Sequence, residues 1–318
     1  MFDIVGIDMP CLDLNVSVDV FPKPNHGSRV RQNTWQGGGK VATGLAAAAR
    51  LDAQCAIIGA VGDDLYGRFC AKDLERHGVA IESLDITPSA ATGFSVVLSD
   101  LKTGGRSILY RPGGAKMPTL DDRCRAMIHR AKCLMLASPG GINREAAELA
   151  RSGGAQVMMD ADDTSQTMFD FLPMTDVFIA SEYFYNTRYG DGEYEAHLRE
   201  LVNMGPQVAI FTLGEKGCAG LGPGGYFRLP AFPVDVVDTV GAGDVYHGAF
   251  AAALVRGMGA PDAARYASAV AAIKCTRIGG RAGIPNRAVV DRFLRDGYID
   301  YTEIDTRVEF YQRGLDHV

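Results

Sequence analysis

Short apolar runs alternate with amphipathic stretches along most of this chain, and that alternation limits its possible folds more than any other feature. Six runs have the character of buried strands, at residues 3–7, 55–61, 133–137, 156–161, 176–180 and 207–213. Helical periodicity fills the intervals, at residues 41–51, 65–78, 143–154 and 193–205. Because a helix between two strands makes those strands parallel, we predict an α/β fold with a central, mostly parallel sheet flanked by helices on both faces.

Two segments, residues 14–35 and 92–111, interrupt this alternation. Each has strand-like periodicity with no helix inside it, and residues 94–110 have a hairpin pattern that turns at Lys102–Gly105. A length of 318 residues allows one large domain or two modest ones, and no clear linker divides the chain. We therefore expect one domain over residues 1–318, in which the two segments build a small β-sheet lid.

Charge and cysteine usage narrow the class of protein. The net charge is −6 and no cluster of lysine and arginine reaches the density of a nucleic-acid-binding surface, so we expect neither nucleic acid nor a membrane as partner. The seven cysteines are scattered and form no CxxC pair, which is typical of reduced thiols in a cytoplasmic protein. The amino-terminal residues have no basic leader pattern, and no apolar run is long enough to cross a bilayer.

The strongest functional signal is VVDTVGAGDVYHGAF, residues 236–250. A β-branched run stops at Asp238, the small residues GAG follow, and Asp244 begins an apolar helix pattern. The first amides of a helix have no partner within it, and glycines let an anion approach them. In this interpretation the amides hold phosphoryl oxygens while Asp244 accepts the proton of an attacking hydroxyl. The alternative is a plain turn with acids at a helix start.

Residues 238–250 resemble the carboxyl-terminal signature of the ribokinase-like (PfkB) carbohydrate kinases. The resemblance extends over nearly the whole chain. Its other motifs are GGKVATGLAAAAR at 38–50, Gly62–Asp64, Asp13 nine residues before Pro22, TLGEKG at 212–217, and CTRIGGRAGIP at 275–285. Several motifs in order, at compatible spacing, are more specific than one glycine-rich loop.

The resemblance implies a ribokinase-like fold and the transfer of a phosphoryl group from Mg-ATP to a sugar or nucleoside hydroxyl. It implies that Asp244 is the catalytic base, with an anion hole at Gly241, Ala242 and Gly243. It implies a substrate side with Asp13, Gly38, Gly39, Lys40 and Thr43, and a nucleotide side with Thr212, Gly214, Gly217, Glu182 and His247. It also implies a monovalent cation such as K+, held by Asp238, Val240 and the loop that contains Arg277 and Gly279.

Two positions depart from the family pattern. Thr43 stands where the family often has an asparagine that contacts the sugar, which leaves the substrate open. Residues 181–184 read SEYF where the family has NxxE, a motif that organises magnesium. Either Glu182 replaces the missing carboxylate from a shifted position, or the magnesium shell differs.

Four further polar residues have two interpretations each. Arg111 either clamps an anionic group of the substrate or is a solvated hairpin arginine. Asp160 and Asp162 follow a predicted parallel strand, so they either face the ligand cleft or cap their loop. His247 either lies near the nucleotide or is a hydrogen-bonded packing residue.

We predict an ATP-dependent kinase for a sugar or sugar acid. The alternatives are a weakly catalytic sugar- or nucleotide-binding sensor on the same fold and a nucleoside kinase of the same family. An oxidoreductase would need a strand–GxGxxG–helix unit, which VGIDMP at residues 5–10 does not supply. Apolar residues of the lid, namely Trp35, Val16, Val18 and Val20, predict a homodimer formed through that sheet.

Overall fold

The computed structural model describes residues 1–100, 102 and 105–315. The strands within that part are β1 Ile4–Ile7, β2 Cys11–Val18, β3 Val30–Gly37, β4 Cys55–Gly62, β5 Val79–Thr87, β6 Gly93–Asp100, β7 Arg106–Arg111, β8 Cys133–Leu136, β9 Gln156–Ala161, β10 Val177–Ser181, β11 Val208–Thr212, β12 Cys218–Gly222 and β13 Gly225–Leu229. The helices are α1 Lys40–Arg50, α2 Leu65–Arg76, α3 Asp122–His129, α4 Asn143–Ser152, α5 Gln166–Phe169, α6 Glu182–Arg188, α7 Tyr194–Asn203, α8 Ala242–Val255, α9 Ala260–Cys275, α10 Arg287–Asp296 and α11 Thr302–Gln312. The 3₁₀ turns are Leu172–Met174 and Gly214–Lys216.

The large sheet has nine strands in the order β13-β12-β11-β10-β9-β8-β1-β4-β5. Its strands from β11 to β5 are parallel, whereas β12 and β13 add an antiparallel pair at one edge. The predicted α/β fold is therefore confirmed, and the six predicted strands and four predicted helices are present with bounds shifted by no more than two residues.

Alternate residues of the central strands point into two cores, one on each face of the sheet. Ile4 and Ile57 belong to the first core, and their neighbours Val5 and Ile58 belong to the second. Burial on both faces explains why these strands have continuous apolar runs rather than a polar and apolar alternation. Among the described residues, no helix combines the length and the apolar character that crossing a membrane requires.

A separate sheet of four strands has the order β3-β2-β6-β7. Strands β2 and β6 are parallel at its centre, and β3 and β7 pair antiparallel at its two edges. This sheet is built from the two segments that interrupt the alternation, although β2 begins earlier and β3 ends later than residues 14–35 predict. Residues 103 and 104 of the predicted turn at Lys102–Gly105 lie outside the described residues.

Helices α1 and α8 cross in direct backbone contact at Gly44 and Gly248. A Cβ atom on Gly248 would lie 1.9 Å from the carbonyl oxygen of Gly44, so no larger residue fits there without a shift of the helices. Gly44 lies about one turn, and Gly248 just under two turns, after the start of its helix. The crossing therefore brings Lys40, which begins α1, and Asp244, in the first turn of α8, to the same edge of the sheet.

Candidate active site

Lys40, Asp160 and Asp162 meet at the carboxyl edge of the large sheet. The Lys40 ammonium bonds to the Asp162 carboxylate and lies 3.8 Å from Oδ1 of Asp160. Burial alone would lower the pKa of Lys40, but the two carboxylates outweigh it and raise that pKa. Both acids therefore face the cleft. The loop is instead capped by Asp163, which accepts the Ser165 amide at 2.8 Å.

Asp244 lies beside this charged cluster in the first turn of α8. Burial is the largest effect on its pKa, and the negative charge of Asp160 acts in the same direction. Lys40, whose ammonium is positively charged, and His247 oppose them, and the resulting pKa is about 7. A carboxyl group that titrates near neutral pH is suited to accept a proton as a general base.

The turn before α8 leaves space beside the helix start. Gly241 has a φ of 71°, a left-handed conformation that favours glycine. A Cβ atom on Gly243 would meet no atom within 4 Å. The Ala242 amide donates to the Thr239 carbonyl at 3.1 Å. Among the first-turn amides, those of Gly243 and Asp244 are consequently the ones that an anion would meet.

His247 is buried one turn further along α8. Its Nδ1 lies 2.6 Å from the Gly243 carbonyl and 3.6 Å from Oδ2 of Asp160, and its Nε2 lies 3.2 Å from the Ile179 carbonyl. Both ring nitrogens thus contact backbone groups of the protein. This arrangement supports the packing interpretation of His247.

Asp13, Gly38 and Gly39 form a second group where the four-stranded sheet meets the start of α1. Asp13 accepts the Ser95 hydroxyl at 2.8 Å, and burial raises its pKa in spite of that hydrogen bond. A Cβ atom on Gly38 would lie 2.3 Å from Oδ2 of Asp13, and one on Gly39 would lie 2.8 Å from Oδ2 of Asp8. The glycines thus allow backbone to approach two carboxylates. Sequence reasoning missed Asp8, because no motif marks it.

Thr43 faces a buried network around Arg281. Its hydroxyl accepts Nε of Arg281 at 3.2 Å, and the same guanidinium donates to Asp73 and to the Gly38 carbonyl at 2.8 Å each. The side chains of Arg281 and Asp73 are fully buried. The network therefore fixes the loop that contains Gly38. Sequence reasoning also missed Arg281, whose partners are more than two hundred residues away along the chain.

Arg111 ends β7 and lies near the point where the four-stranded sheet joins the core. Its guanidinium donates to the Thr92 carbonyl at 3.3 Å. The amide and hydroxyl of Thr92 bond to the carboxylate of Asp64, which also caps α2 by accepting the Gly67 amide at 2.8 Å. Arg111 thus lies at this junction, and Asp64 of the 62–64 motif caps a helix.

Thr212, Gly214, Gly217 and Glu182 lie together at the carboxyl ends of β10 and β11. The Thr212 hydroxyl donates to a carbonyl of β10 at 3.3 Å. The two glycines have φ values of 57° and 82° and shape the 3₁₀ turn that follows β11. Glu182 begins α6 and pairs with Lys216 of that turn at 2.8 Å. The predicted nucleotide-side residues other than His247 thus form one surface.

Lys274 lies where the sequence predicts a monovalent cation. Its ammonium donates to the carbonyl of Asp238 at 3.0 Å and to that of Val240. The amide of Gly279 donates to Oδ2 of Asp238 at 2.8 Å, while Arg277 turns outward to a carboxylate of α11 at 2.7 Å. Because the ammonium already bonds both carbonyls, the residues present do not fit a K+ ion at this place.

The residues present do fit ATP and Mg²⁺. The open helix start at Gly243 suits phosphate oxygens, since first-turn amides and the helix dipole favour an anion. Asp160, Asp162 and Glu182 lie at neighbouring strand ends and offer carboxylates. The described residues contain no group of three or more metal-ligating side chains. Mg²⁺ in phosphoryl-transfer sites usually needs only one or two carboxylates, because phosphates and water complete its shell.

The nine-stranded sheet, the separate four-stranded sheet and the glycine-lined helix start define a ribokinase-like α/β protein. A structure of Arabidopsis thaliana ribokinase complexed with ribose and ATP superimposes on this chain with a TM-score of 0.81 and 24% sequence identity, covering 92% of this chain and 99% of that one. At that identity, the likeness shows the fold.

The chain belongs to the pfkB family of carbohydrate kinases, which it matches over residues 1–287. It is therefore a phosphotransferase. It is 27% identical over 297 residues to the nucleoside kinase of Methanothermobacter thermautotrophicus, covering 92% of this chain and 95% of that protein. It is also 27% identical over 319 residues to the bifunctional ribokinase/ribose-5-phosphate isomerase A of Fructilactobacillus sanfranciscensis, where it spans 58% of the length.

Proposed function

We propose that this protein transfers the γ-phosphoryl group of ATP to a hydroxyl of a sugar or sugar acid, with Asp244 as the general base. Membership of the carbohydrate kinase family implies the phosphorylation of a sugar by ATP. One observation carries the assignment of the base. The carboxyl group of Asp244 has a pKa of about 7 and shares the first turn of α8 with the open position at Gly243.

In this mechanism, Asp244 accepts the proton of the substrate hydroxyl while the hydroxyl oxygen forms a bond to the γ-phosphorus. The bond between that phosphorus and the β–γ bridging oxygen breaks, and its electron pair leaves with ADP. The amides of Gly243 and Asp244 stabilise the charge on the phosphoryl oxygens. Mg²⁺ neutralises phosphate charge when it is bound, and Asp160, Asp162 and Glu182 are the carboxylates offered to it.

The charges of the cleft favour a neutral sugar over a sugar acid. Lys40 pairs with Asp160 and Asp162, which already neutralise its charge. Asp13 adds a further carboxylate at the sugar side, where it is suited to accept hydrogen bonds from sugar hydroxyls. A sugar acid would require Arg111 to leave the Thr92 carbonyl and turn inward.

The four-stranded sheet is proposed to be the lid of a single domain. Trp35 and Phe94 of this sheet have ring centroids 5.9 Å apart, and both pack on Tyr66 of the core, at 6.4 Å and 5.5 Å respectively. This aromatic contact joins the sheet to the core beside the sugar side of the site. Closure over the substrate would exclude water, whose attack on ATP competes with transfer.

The first experiment measures ADP release with Mg-ATP against a panel of neutral sugars, sugar acids, nucleosides and sugar phosphates. We expect turnover of a neutral sugar and a loss of about a thousandfold or more in kcat for Asp244→Asn. Asp262→Asn is the matched control, because Asp262 is an exposed acid in the first turn of another helix. A full rate in Asp244→Asn would overturn the assignment of the base.

The same panel separates the alternatives. Preferred turnover of nucleosides would identify a nucleoside kinase on the same fold. No turnover of any compound, together with thermal stabilisation by sugars or ATP, would indicate a ligand sensor. The altered 181–184 segment motivates that alternative, and the raised pKa of Asp244 opposes it, because a sensor needs no base.

We further propose a cytoplasmic homodimer. All seven cysteines are free thiols, which suits a reducing compartment. Val16 and Val18 are buried, and Trp35 packs on Tyr66, so of the four residues predicted to offer an apolar surface it is Val20 that is exposed, at 50%. Val30 of β3 is also exposed, but three neighbouring exposed apolar residues, Ile108, Leu109 and Tyr110, lie on the edge strand β7.

A further inference from the structure

Lys274 is a fully buried lysine near the carboxyl-terminal end of α9. A buried ammonium is tolerated only where protein groups replace its water shell. Here two backbone carbonyls do so, one from Asp238 at 3.0 Å and one from Val240. Both belong to the turn that leads into α8.

The carboxylate of Asp238 completes the same turn. It accepts the Val240 amide at 3.0 Å, the Gly279 amide at 2.8 Å and the Ser99 hydroxyl of the lid at 3.3 Å. Asp238 is itself buried, so a negative charge lies on the turn to which the ammonium bonds. The turn, the loop at Gly279 and the lid are thus tied together around one buried lysine and one buried acid.

This turn determines where the phosphate-facing amides lie. Gly241 follows Val240 directly and has a φ of 71°. A Cβ atom on Gly241 would lie 2.8 Å from Cα of Gly280, so the two loops are packed backbone to backbone. Any shift of the Val240 carbonyl would consequently move the start of α8, including Gly243 and Asp244.

We propose that the Lys274 ammonium is a built-in cation that replaces a monovalent metal ion and positions the anion-binding turn before α8. The predicted effect of Lys274 on the rate rests on the proposed kinase function, whereas its predicted effect on the turn does not. Lys274 is a positioning residue, because it is fully buried and its ammonium bonds the backbone of the turn. A metal ion at the same carbonyls would stand beside a fixed positive charge, so its entry is opposed by repulsion as well as by lack of free ligands.

The first test compares the wild-type enzyme in K+ and in tetramethylammonium salts, with ionic strength held at about 0.1 M. We expect kcat/KM to agree within about twofold and the melting temperature not to depend on K+. Activation of the wild-type enzyme by K+ of about tenfold or more would overturn the proposal, as would marked thermal stabilisation by K+.

The second test removes the built-in cation. We expect Lys274→Ala to lower kcat by about tenfold or more with little change in KM, and we expect added NH₄⁺, methylammonium or K+ to restore part of it. Lys72→Ala is the control, because Lys72 is an exposed lysine of α2. Full activity of Lys274→Ala without any added cation, or a folded inactive variant that no cation restores, would contradict the proposed role.

Two measurements keep this inference separate from the kinase assignment. The melting temperature of Lys274→Ala should rise with K+ or methylammonium whether or not a substrate has been found, and a folded variant that shows no such rise contradicts the proposal. Should Lys274→Ala fail to fold, the wild-type comparison of K+ with tetramethylammonium decides alone.

Discussion

At the residue scale, Asp244 has the most consequential environment, because the charges around it set when it can accept a proton. Its pKa of about 7 predicts that kcat/KM falls about tenfold per pH unit below neutrality and is level above it. The measurement is a pH–rate profile between pH 5 and 9 on the substrate found by the panel. A rate that is level down to pH 5 would mean that another group controls the proton.

The same carboxyl group should reduce stability at high pH. Its folded pKa of about 7 lies above the ordinary value of 3.8, so below about pH 4 both states are protonated and no penalty exists. The penalty grows as the pH rises towards 7 and is complete above it. We expect the free energy of unfolding of Asp244→Asn, measured by denaturant titration, to exceed that of wild type by on the order of 1 kcal/mol or more at pH 8.5. No such gain is expected at pH 4. Equal gains at both pH values would exclude ionisation as the cause.

Thr43 illustrates how a predicted substrate residue can have a structural role. Its hydroxyl is the acceptor for Nε of the fully buried Arg281, so Thr43→Val leaves a charged donor without a partner. We expect that change to lower the free energy of unfolding by about 1–3 kcal/mol in urea titrations. Thr43→Ser keeps the hydroxyl and should cost less. The exposed Thr119 gives a control, Thr119→Val, in which no stability loss is expected.

At the scale of elements, periodicity alone predicted the parallel strands and their helices. It succeeded because strands such as β4 are buried along their whole length and helices such as α4 have one buried face. It missed β5, whose residues are mostly not fully buried, and it predicted no partner for Lys274 or Arg281. Lys274 bonds a residue 36 positions away along the chain, and Arg281 bonds one 208 positions away. Hydrogen bonds over such separations leave no local pattern in the sequence.

The crossing of α1 and α8 sets the geometry of the site through two glycines. In Gly248→Ala the new Cβ would lie 1.9 Å from a backbone oxygen, whereas in Gly44→Ala the nearest atom, at 2.8 Å, is the mobile end of Met135. Alanine gains about 1 kcal/mol of helix propensity, but overpacking against backbone costs about 1–3 kcal/mol. We expect Gly248→Ala to lower both stability and kcat/KM more than Gly44→Ala does. If the two substitutions had equal effects in thermal melts and in rate assays, the two helices would be free to move apart at Gly248.

At the scale of the whole molecule, the proposed dimer is expected to form at the exposed edge of the four-stranded sheet. Strand β7 is exposed along its entire length, and its free edge carries backbone groups that another strand can pair with. Leu109 is 62% exposed in the middle of that edge. A second copy pairing there would bury apolar side chains and would tie two lids together, so that closure over one substrate is coupled to the partner lid.

The dimer is tested by placing a charge on that edge. We expect Leu109→Asp to be monomeric where wild type is dimeric in light scattering at matched concentrations, because two buried carboxylates would face each other across the edge. Tyr298→Asp changes another large exposed residue, 51% exposed and remote in sequence from the lid, and should stay dimeric. A monomeric wild-type protein, or a Leu109→Asp variant that remains dimeric, would show that β7 is not the interface. Because the proposed dimer couples closure of the two lids, a monomeric variant should also show a higher KM for the sugar.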